Sequence, residues 1–71
     1  MASGLSDRER QVLERFAQGK SAEDVADILG VTPATVMFHY RNVAVRYGTL
    51  NRTHTVVRAI TLGEIRANAE G

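Results

Sequence analysis

The chain has 71 residues, of which 44% are hydrophobic and 24% charged, and its formal net charge is +1. This composition is typical of one small water-soluble domain, too short to build a deep catalytic cleft. The absence of cysteine excludes disulfide frameworks and cysteine-bound zinc. Apolar runs are too short for a membrane span, so we expect a cytoplasmic protein in which residues 1–4 are a leader or a cloning remnant.

The charges are unevenly distributed along the chain. Residues 1–31 contain four bases and six acids, whereas residues 32–71 contain five bases and two acids. Between Thr32 and Gly63 there are four arginines and no acid. Because binding to DNA depends on the local field of the docking face, this imbalance favours a nucleic-acid partner despite the small net charge.

Two capping boxes predict the first two helices. In each, a serine is followed three residues later by an acid, and the two side chains satisfy free backbone amides of the first turn. Apolar residues then recur at helical spacing and predict a buried stripe. The first box is Ser6 with Glu9, its helix spans about 7–18, and its stripe is Val12, Leu13, Phe16 and Ala17. The second box is Ser21 with Asp24, its helix spans about 22–29, and its stripe is Ala22, Val25, Ala26 and Leu29.

Two further caps predict a third and a fourth helix. Thr32 is a favourable N-cap, and Pro33 follows at the first helical position, where its missing amide costs nothing. This helix spans 33–47, and Asn51 caps another. The fourth helix spans 52–62; the predicted buried stripes are Val36, Tyr40, Val43 and Tyr47 in the third helix and Thr53, Val56, Val57 and Ile60 in the fourth.

The connection between the second and third helices determines the predicted fold. Only Gly30 and Val31 precede the Thr32 cap. So short a connection forces the two helices to cross steeply, as in a helix-turn-helix unit. We therefore predict an all-α, four-helix domain over residues 5–65, followed by a frayed tail over 66–71.

The outward face of the third helix is unusual for a solvated helix. It has no lysine, glutamate or aspartate, and presents one arginine among small and large apolar side chains. An arginine can bond to guanine and apolar groups can contact thymine methyls, so this face suits a DNA major groove. A helix buried on all sides and a protein-binding surface remain alternatives. The face comprises Ala34, Phe38, Arg41 and Val45, with Met37 at one edge and Thr35 and Asn42 at the other.

Docking by the third helix would point the starts of two helices at phosphates. Lys20 and Ser21 begin the second helix, and Thr32 and Thr35 lie at the start of the third. Free amides and hydroxyls at these positions are expected to contact the DNA backbone. Arg46 and Arg52, which flank the end of the third helix, could reach the backbone as well.

The combination of residues from Leu5 to Ile65 resembles the LuxR-type (LuxR/FixJ or GerE-type) domain. The matching residues are Leu5-Ser6, Arg8-Glu9, Val12-Leu13, Gly19-Lys20-Ser21, Val25-Ala26, Leu29-Gly30-Val31, Thr32, Thr35-Val36, His39, Asn42-Val43, Gly48, Asn51-Arg52-Thr53, Ala59-Ile60 and Leu62-Gly63. Phe38-His39 after Val36 is most similar to the quorum-sensing branch, whose members bind acyl-homoserine lactones through a separate amino-terminal domain.

The resemblance implies residue roles and partners. Base contacts fall on Met37, Phe38 and Arg41; backbone contacts on Lys20, Ser21, Thr32, Thr35, Asn42, Arg46 and Arg52; and a dimer face on the outer side of helix four at His54, Thr55, Arg58, Thr61 and Leu62. A homodimer on a two-fold double-stranded operator follows, with RNA polymerase as a further partner. A lactone or, as in a response regulator, a phosphoryl group would act only through a domain not present in this chain.

This sequence also departs from the family pattern. Met37 and Val45 stand where relatives commonly have basic or polar residues, and Tyr47 and Thr49 replace usual aliphatics. The third helix is therefore less cationic than in most relatives, and we expect weaker nonspecific affinity for DNA.

Other functional classes fit less well. The promoter-reading domain of a sigma factor shares the arginine–glutamate opening but tends to lack His39 and the Asn51-Arg52-Thr53 cap. A helical protein-binding module would use Met37 and Phe38 as its anchor. No enzyme, cofactor or metal site is expected, because the acids lie on faces predicted to be solvated and His39 and His54 have no patterned acidic partner.

Overall fold

The computed structural model describes residues 4–66, which form four α-helices and no strand. The helices are α1 (Asp7–Ala17), α2 (Ala22–Leu29), α3 (Pro33–Tyr47) and α4 (Arg52–Thr61). The predicted all-α fold is confirmed, and the first and last helices each end one residue earlier than predicted. None of the helices in this part of the chain is both long and apolar enough to cross a membrane.

The four helix starts carry the predicted caps. The Ser6 hydroxyl accepts a hydrogen bond from the Glu9 amide at 3.1 Å, and the Glu9 carboxylate accepts one from the Ser6 amide at 3.0 Å. Ser21 and Asp24 form the same box at α2. Thr32 and Asn51 accept from the amide three residues later, at 3.2 and 2.8 Å. Each cap satisfies an amide that the helix leaves without a partner.

The turn between α2 and α3 places α3 across the domain. Gly30 ends α2 with φ +72°, a left-handed conformation that a side chain would strain, and Val31 donates to the Ala26 carbonyl at 3.0 Å. α3 packs against α1, α2 and α4, whereas α2 and α4 do not pack on each other. α3 is therefore held from one side only, and its other side faces outward.

The core lies among α1, α3 and the two shorter helices. Val36 and Val43 of α3 are fully buried, and Tyr40 and Tyr47 pack partly buried against the same cluster, as predicted. The buried hydrophobic residues are Leu5, Val12, Leu13, Phe16, Val25, Ala26, Val36, Val43, Ala59 and Ile65.

Both ends of the described chain join this core. Leu5 and Ile65 are buried in the hydrophobic cluster. The Gly4 amide donates to both oxygens of the Glu64 carboxylate, at 3.0 and 3.2 Å. Gly4 is thus in contact with the domain, although it was assigned to the leader. The predicted tail 66–71 lies outside the described residues except for Arg66, which is exposed.

Candidate nucleic-acid interface

The outward face of α3 combines exposed apolar and polar side chains, as predicted. Phe38 is 58% exposed and Val45 is 82% exposed, with Arg41 and Asn42 exposed between them. α3 has no acidic residue in its first turn and has Arg46 in its last. A helix buried on all sides is therefore excluded.

Met37 and His39 flank Phe38 and are both half-buried. Met37 packs against the hydrophobic core, so only part of its side chain is available for the predicted base contact. The His39 ring meets the Phe38 ring edge-on, with centroids 5.5 Å apart. This contact supports the Phe38 ring from one side. Among the described residues no group of histidine and acidic side chains could hold a metal ion.

The amides at the starts of α2 and α3 are less free than predicted. The Ser21 amide donates to the Asp24 carboxylate at 3.4 Å, and the Ser21 hydroxyl accepts from the Asp24 amide. At α3 the hydroxyls of Thr32 and Thr35 lie 3.0 Å apart, and the Thr35 amide donates to Thr32. A DNA phosphate that binds at either helix start would have to displace these hydrogen bonds or accept from backbone amides that they do not use. Lys20, next to the first cap, is exposed.

Arg46 forms an ion pair inside the molecule that the sequence did not predict. Its guanidinium lies 2.7 Å from the Glu9 carboxylate and also donates to the Gly4 carbonyl. Glu9 is buried, which corrects the expectation that the acids lie on solvated faces. In the sequence, the capping box with Ser6 already accounts for an acid at position 9. No local pattern therefore indicates that Glu9 also pairs with Arg46, which is 37 positions away.

The ion pair determines the charge state of Glu9. Burial raises the pKa of this carboxyl and is the largest single influence, but the hydrogen bonds from Arg46 and the Ser6 amide act against it. The charges of Arg46 and His39 lower it further, so the net pKa lies below the ordinary value of 4.5. Arg46 remains 45% exposed, so part of the guanidinium still faces solvent.

Arg52 is held by an aromatic contact. Its guanidinium carbon lies 4.0 Å from the centre of the Phe16 ring, and that ring meets Tyr40 edge-on with centroids 5.8 Å apart. A cation over a ring face is attracted by the ring quadrupole. The side chain is exposed, so it joins the start of α4 to α1 and keeps its charge at the surface.

The predicted faces of α4 need two corrections. Thr55, assigned to the dimer face, is fully buried; its hydroxyl lies 2.6 Å from that of Thr49 and donates to the Asn51 carbonyl at 2.8 Å. Val57, assigned to the core, is 52% exposed. Thr53 of that predicted stripe is also exposed. At 100° per residue Thr55 and Ala59 share the buried side, and Val57 falls opposite them.

The rest of the predicted dimer face lies outward. His54, Arg58, Thr61 and Leu62 are all exposed. Together with Thr53 and Val57 they form the outer face of α4. Val57 is the residue of this face that the sequence analysis missed, because its apolar character favoured the core over the surface.

Comparisons with known proteins bear on the family and the fold of this chain. The family model described as "Bacterial regulatory proteins, luxR family" matches residues 3–59. The chain is 39% identical over 61 residues to the "HTH-type quorum-sensing regulator RhlR" of Pseudomonas aeruginosa, covering 86% of this chain and 25% of that protein. It is 44% identical over 62 residues to the "HTH-type quorum sensing-dependent transcriptional regulator RpaR" of Rhodopseudomonas palustris, covering 87% and 26%.

The fold also has a solved counterpart. The structure described as "Structure of Transcription factor, GerE" superposes with a TM-score of 0.90 at 25% identity, covering 94% of this chain and 100% of that one. In contrast, the chain spans only about a quarter of the length of the quorum-sensing regulators.

Proposed function

The chain belongs to the LuxR family of bacterial regulatory proteins, and on this premise we propose that α3 enters the major groove of an operator and contacts its bases. The chain is a helix-turn-helix DNA-binding domain of the kind found in transcription regulators. This is the family that its residues resembled, rather than the sigma-factor alternative.

The outward face of α3 carries the proposal. Phe38 is 58% exposed, Arg41 is exposed beside it, and no acid stands between Thr32 and Gly63. Water is a poor environment for an exposed phenyl ring, whereas a major groove offers both thymine methyls and guanine acceptors. Phosphates would repel acids here, which accounts for their absence. Phe38 and Arg41 are the principal base contacts, and Met37 contributes through its exposed part.

The DNA backbone contacts come from the edges of this face. Lys20 and Asn42 are exposed and have charge or amide donors to offer. Ser21, Thr32 and Thr35 also lie at helix starts, but their caps use part of their hydrogen-bonding capacity. Arg46 and Arg52 contribute charge from positions already fixed by Glu9 and Phe16.

Two copies would pair through the outer face of α4 on a two-fold site. Val57 and Leu62 are its exposed apolar residues, and His54, Arg58 and Thr61 lie between them around the helix. Apolar residues accompanied by polar ones are usual in a small interface. The same face is used by both copies, as two-fold symmetry requires.

The relatives support a place in the quorum-sensing branch. RhlR and RpaR are named as quorum-sensing regulators, and this chain matches about a quarter of each. We therefore assign signal reception and any contact with RNA polymerase to a longer regulator of which this domain is the DNA-binding part.

The test begins with DNA selected from a random duplex library by the unmodified domain. Arg41→Ala should weaken binding to the enriched duplex at least about fivefold, because one bidentate contact to guanine contributes about 1–3 kcal/mol of discrimination. Arg10→Ala removes an equal charge from α1, where Arg10 pairs with Asp7, and should change affinity less than twofold.

A second measurement locates the contact. Amide shifts recorded with the enriched duplex should change most strongly from Thr32 to Arg46. Unchanged shifts in this stretch, or equal effects of Arg41→Ala and Arg10→Ala, would overturn the proposal. Binding of a protein partner through Phe38 would then be the better explanation of the exposed face.

A further inference from the structure

The outward face of α3 presents two large apolar side chains, not one. Val45 is 82% exposed, more than Phe38 at 58%, and neither belongs to the core cluster. They are seven residues apart, which is two helical turns, so they lie on the same face. Leu50, at 93%, is as exposed as Val45, but it lies beyond the end of the helix.

Arg41 and Asn42 lie between these two side chains. The four positions follow the spacing i, i+3, i+4 and i+7, which is the spacing of the base-contacting residues on the major-groove helix of homeodomains. Seven residues rise about 10.5 Å along a helix, and base pairs are about 3.4 Å apart. Phe38 and Val45 therefore stand about three base-pair steps apart when α3 lies along a groove.

The chemistry of the major groove identifies what the two side chains contact. Its base edges present hydrogen-bond donors and acceptors, and the largest apolar group among them is the C5-methyl group of thymine. We propose that Phe38 and Val45 each contact a thymine methyl, at positions about three base pairs apart on either side of the base pair contacted by Arg41. The proposal rests on docking of α3 in the groove and adds Val45 as a specificity-determining residue.

The site should then respond to the methyl group itself and not to the identity of the base that carries it. 5-Methylcytosine has a methyl group at the same ring position as thymine. Where either side chain makes its contact, a 5-methylcytosine–guanine pair should therefore bind better than an unmodified cytosine–guanine pair. The expected gain is about fourfold, the effect of burying one methyl group.

The experiment changes the DNA and leaves the protein intact. In the duplex enriched by selection, each thymine is replaced singly by deoxyuridine, which lacks only the methyl group, and affinity is measured by fluorescence anisotropy. We expect losses of about fourfold at two positions about three base pairs apart. Cytosine and 5-methylcytosine are then compared at the same two positions.

Protein variants assign each methyl to its side chain. Phe38→Ala should abolish the deoxyuridine penalty at one position, and Val45→Ala should abolish it at the other. Both side chains are exposed, so these variants should keep the fold, which thermal melting checks. Leu50→Ala removes an equally exposed apolar side chain outside the face and should leave both penalties in place.

Failure of this inference is distinguishable from failure of the proposed function. If every deoxyuridine costs less than twofold while Arg41→Ala still weakens binding about fivefold or more, α3 docks but the methyl contacts are wrong. If only the position assigned to Phe38 responds, Val45 is not a specificity residue. If Arg41→Ala has no effect either, the docking of α3 itself is wrong.

Discussion

Tyr47 carries the one described side-chain polar atom that is buried without a hydrogen-bond partner, its hydroxyl oxygen. Burial and the nearby carboxylate of Glu64 raise the pKa of this phenol, so it stays neutral. An unsatisfied buried hydroxyl costs about 1–3 kcal/mol, whereas a phenyl ring of the same shape costs nothing.

We therefore expect Tyr47→Phe to raise the free energy of unfolding by about 1 kcal/mol, or the melting temperature by about 5 °C. Thermal and urea unfolding followed by circular dichroism measure this. Tyr40→Phe, which removes the hydroxyl of another half-buried tyrosine of α3, should be close to neutral. A loss of stability in Tyr47→Phe would mean that the hydroxyl has a partner such as an ordered water.

Glu9 makes the stability of the domain depend on pH. Its pKa in the folded state lies below the ordinary value of 4.5. A carboxyl with a lowered pKa stabilises the fold fully above its unfolded-state pKa, and this contribution is lost as pH falls through the folded-state pKa. We expect the free energy of unfolding to decrease from about pH 5 downward.

Glu9→Gln should flatten this dependence and cost about 1 kcal/mol at pH 7. This is less than a buried charged hydrogen bond contributes, because Arg46 is 45% exposed. Melting curves from pH 3 to 7 provide the measurement. Glu23→Gln makes the same chemical change at an exposed position of α2. Equal slopes for the two variants would show that Glu9 is not the titrating group.

Among the elements, α4 carries the surface proposed to pair two copies. Val57 is 52% exposed on its outer face, and Ile28 is 46% exposed on α2. If two copies pair through α4, Val57→Glu places two carboxylates in one small contact. The affinity of the Val57→Glu variant for a duplex with two inverted half-sites should fall about tenfold, to the affinity expected for a duplex with one half-site.

Ile28→Glu makes a comparable change on α2 and should keep the preference for the double site. Anisotropy titrations on one-site and two-site duplexes, with sedimentation velocity of each complex, separate the outcomes. If Val57→Glu still binds the two-site duplex as a dimer, pairing uses another surface.

The elements differ in how far the sequence predicts them. The caps at Ser6, Ser21, Thr32 and Asn51 are local, so they predicted all four helix starts correctly. Which side of a helix is buried is harder to predict from the sequence when that side has few large apolar residues. In α4, Val57 was favoured for the core, but the buried side is built from Thr55 and Ala59 because Thr49 satisfies the threonine hydroxyl.

Contacts between distant residues could not be predicted from local pattern. Arg46 reaches Glu9 only because α3 crosses α1, and Arg52 reaches Phe16 only because α4 packs on α1. The sequence identified both arginines as surface cations near the end of α3. The fold shows that each also stabilises a helix pair, which changes how much of its charge is available to DNA.

The charge of the whole molecule sets its dependence on salt. The cations proposed to contact the DNA backbone are Lys20, Arg46 and Arg52, whereas Arg41 is assigned to a base; Arg46 is paired with Glu9 but is still 45% exposed. With a slope of about −0.9 for each neutralised phosphate, log K against log salt should have a slope of about −3 per subunit. Val45 is 82% exposed on the proposed docking face and carries no charge.

We therefore expect Val45→Arg to steepen this slope by about one unit per subunit and to raise affinity for random-sequence DNA at low salt. The added guanidinium can reach a phosphate from the rim of the groove, so the gain should not depend on sequence and should shrink as salt rises. Ile28→Arg adds the same charge on α2 and should leave the slope nearly unchanged. Equal slopes for both variants would mean that residue 45 lies too far from the DNA for its charge to matter. A wild-type slope steeper than about −5 would mean that cations beyond Lys20, Arg46 and Arg52 contact phosphates.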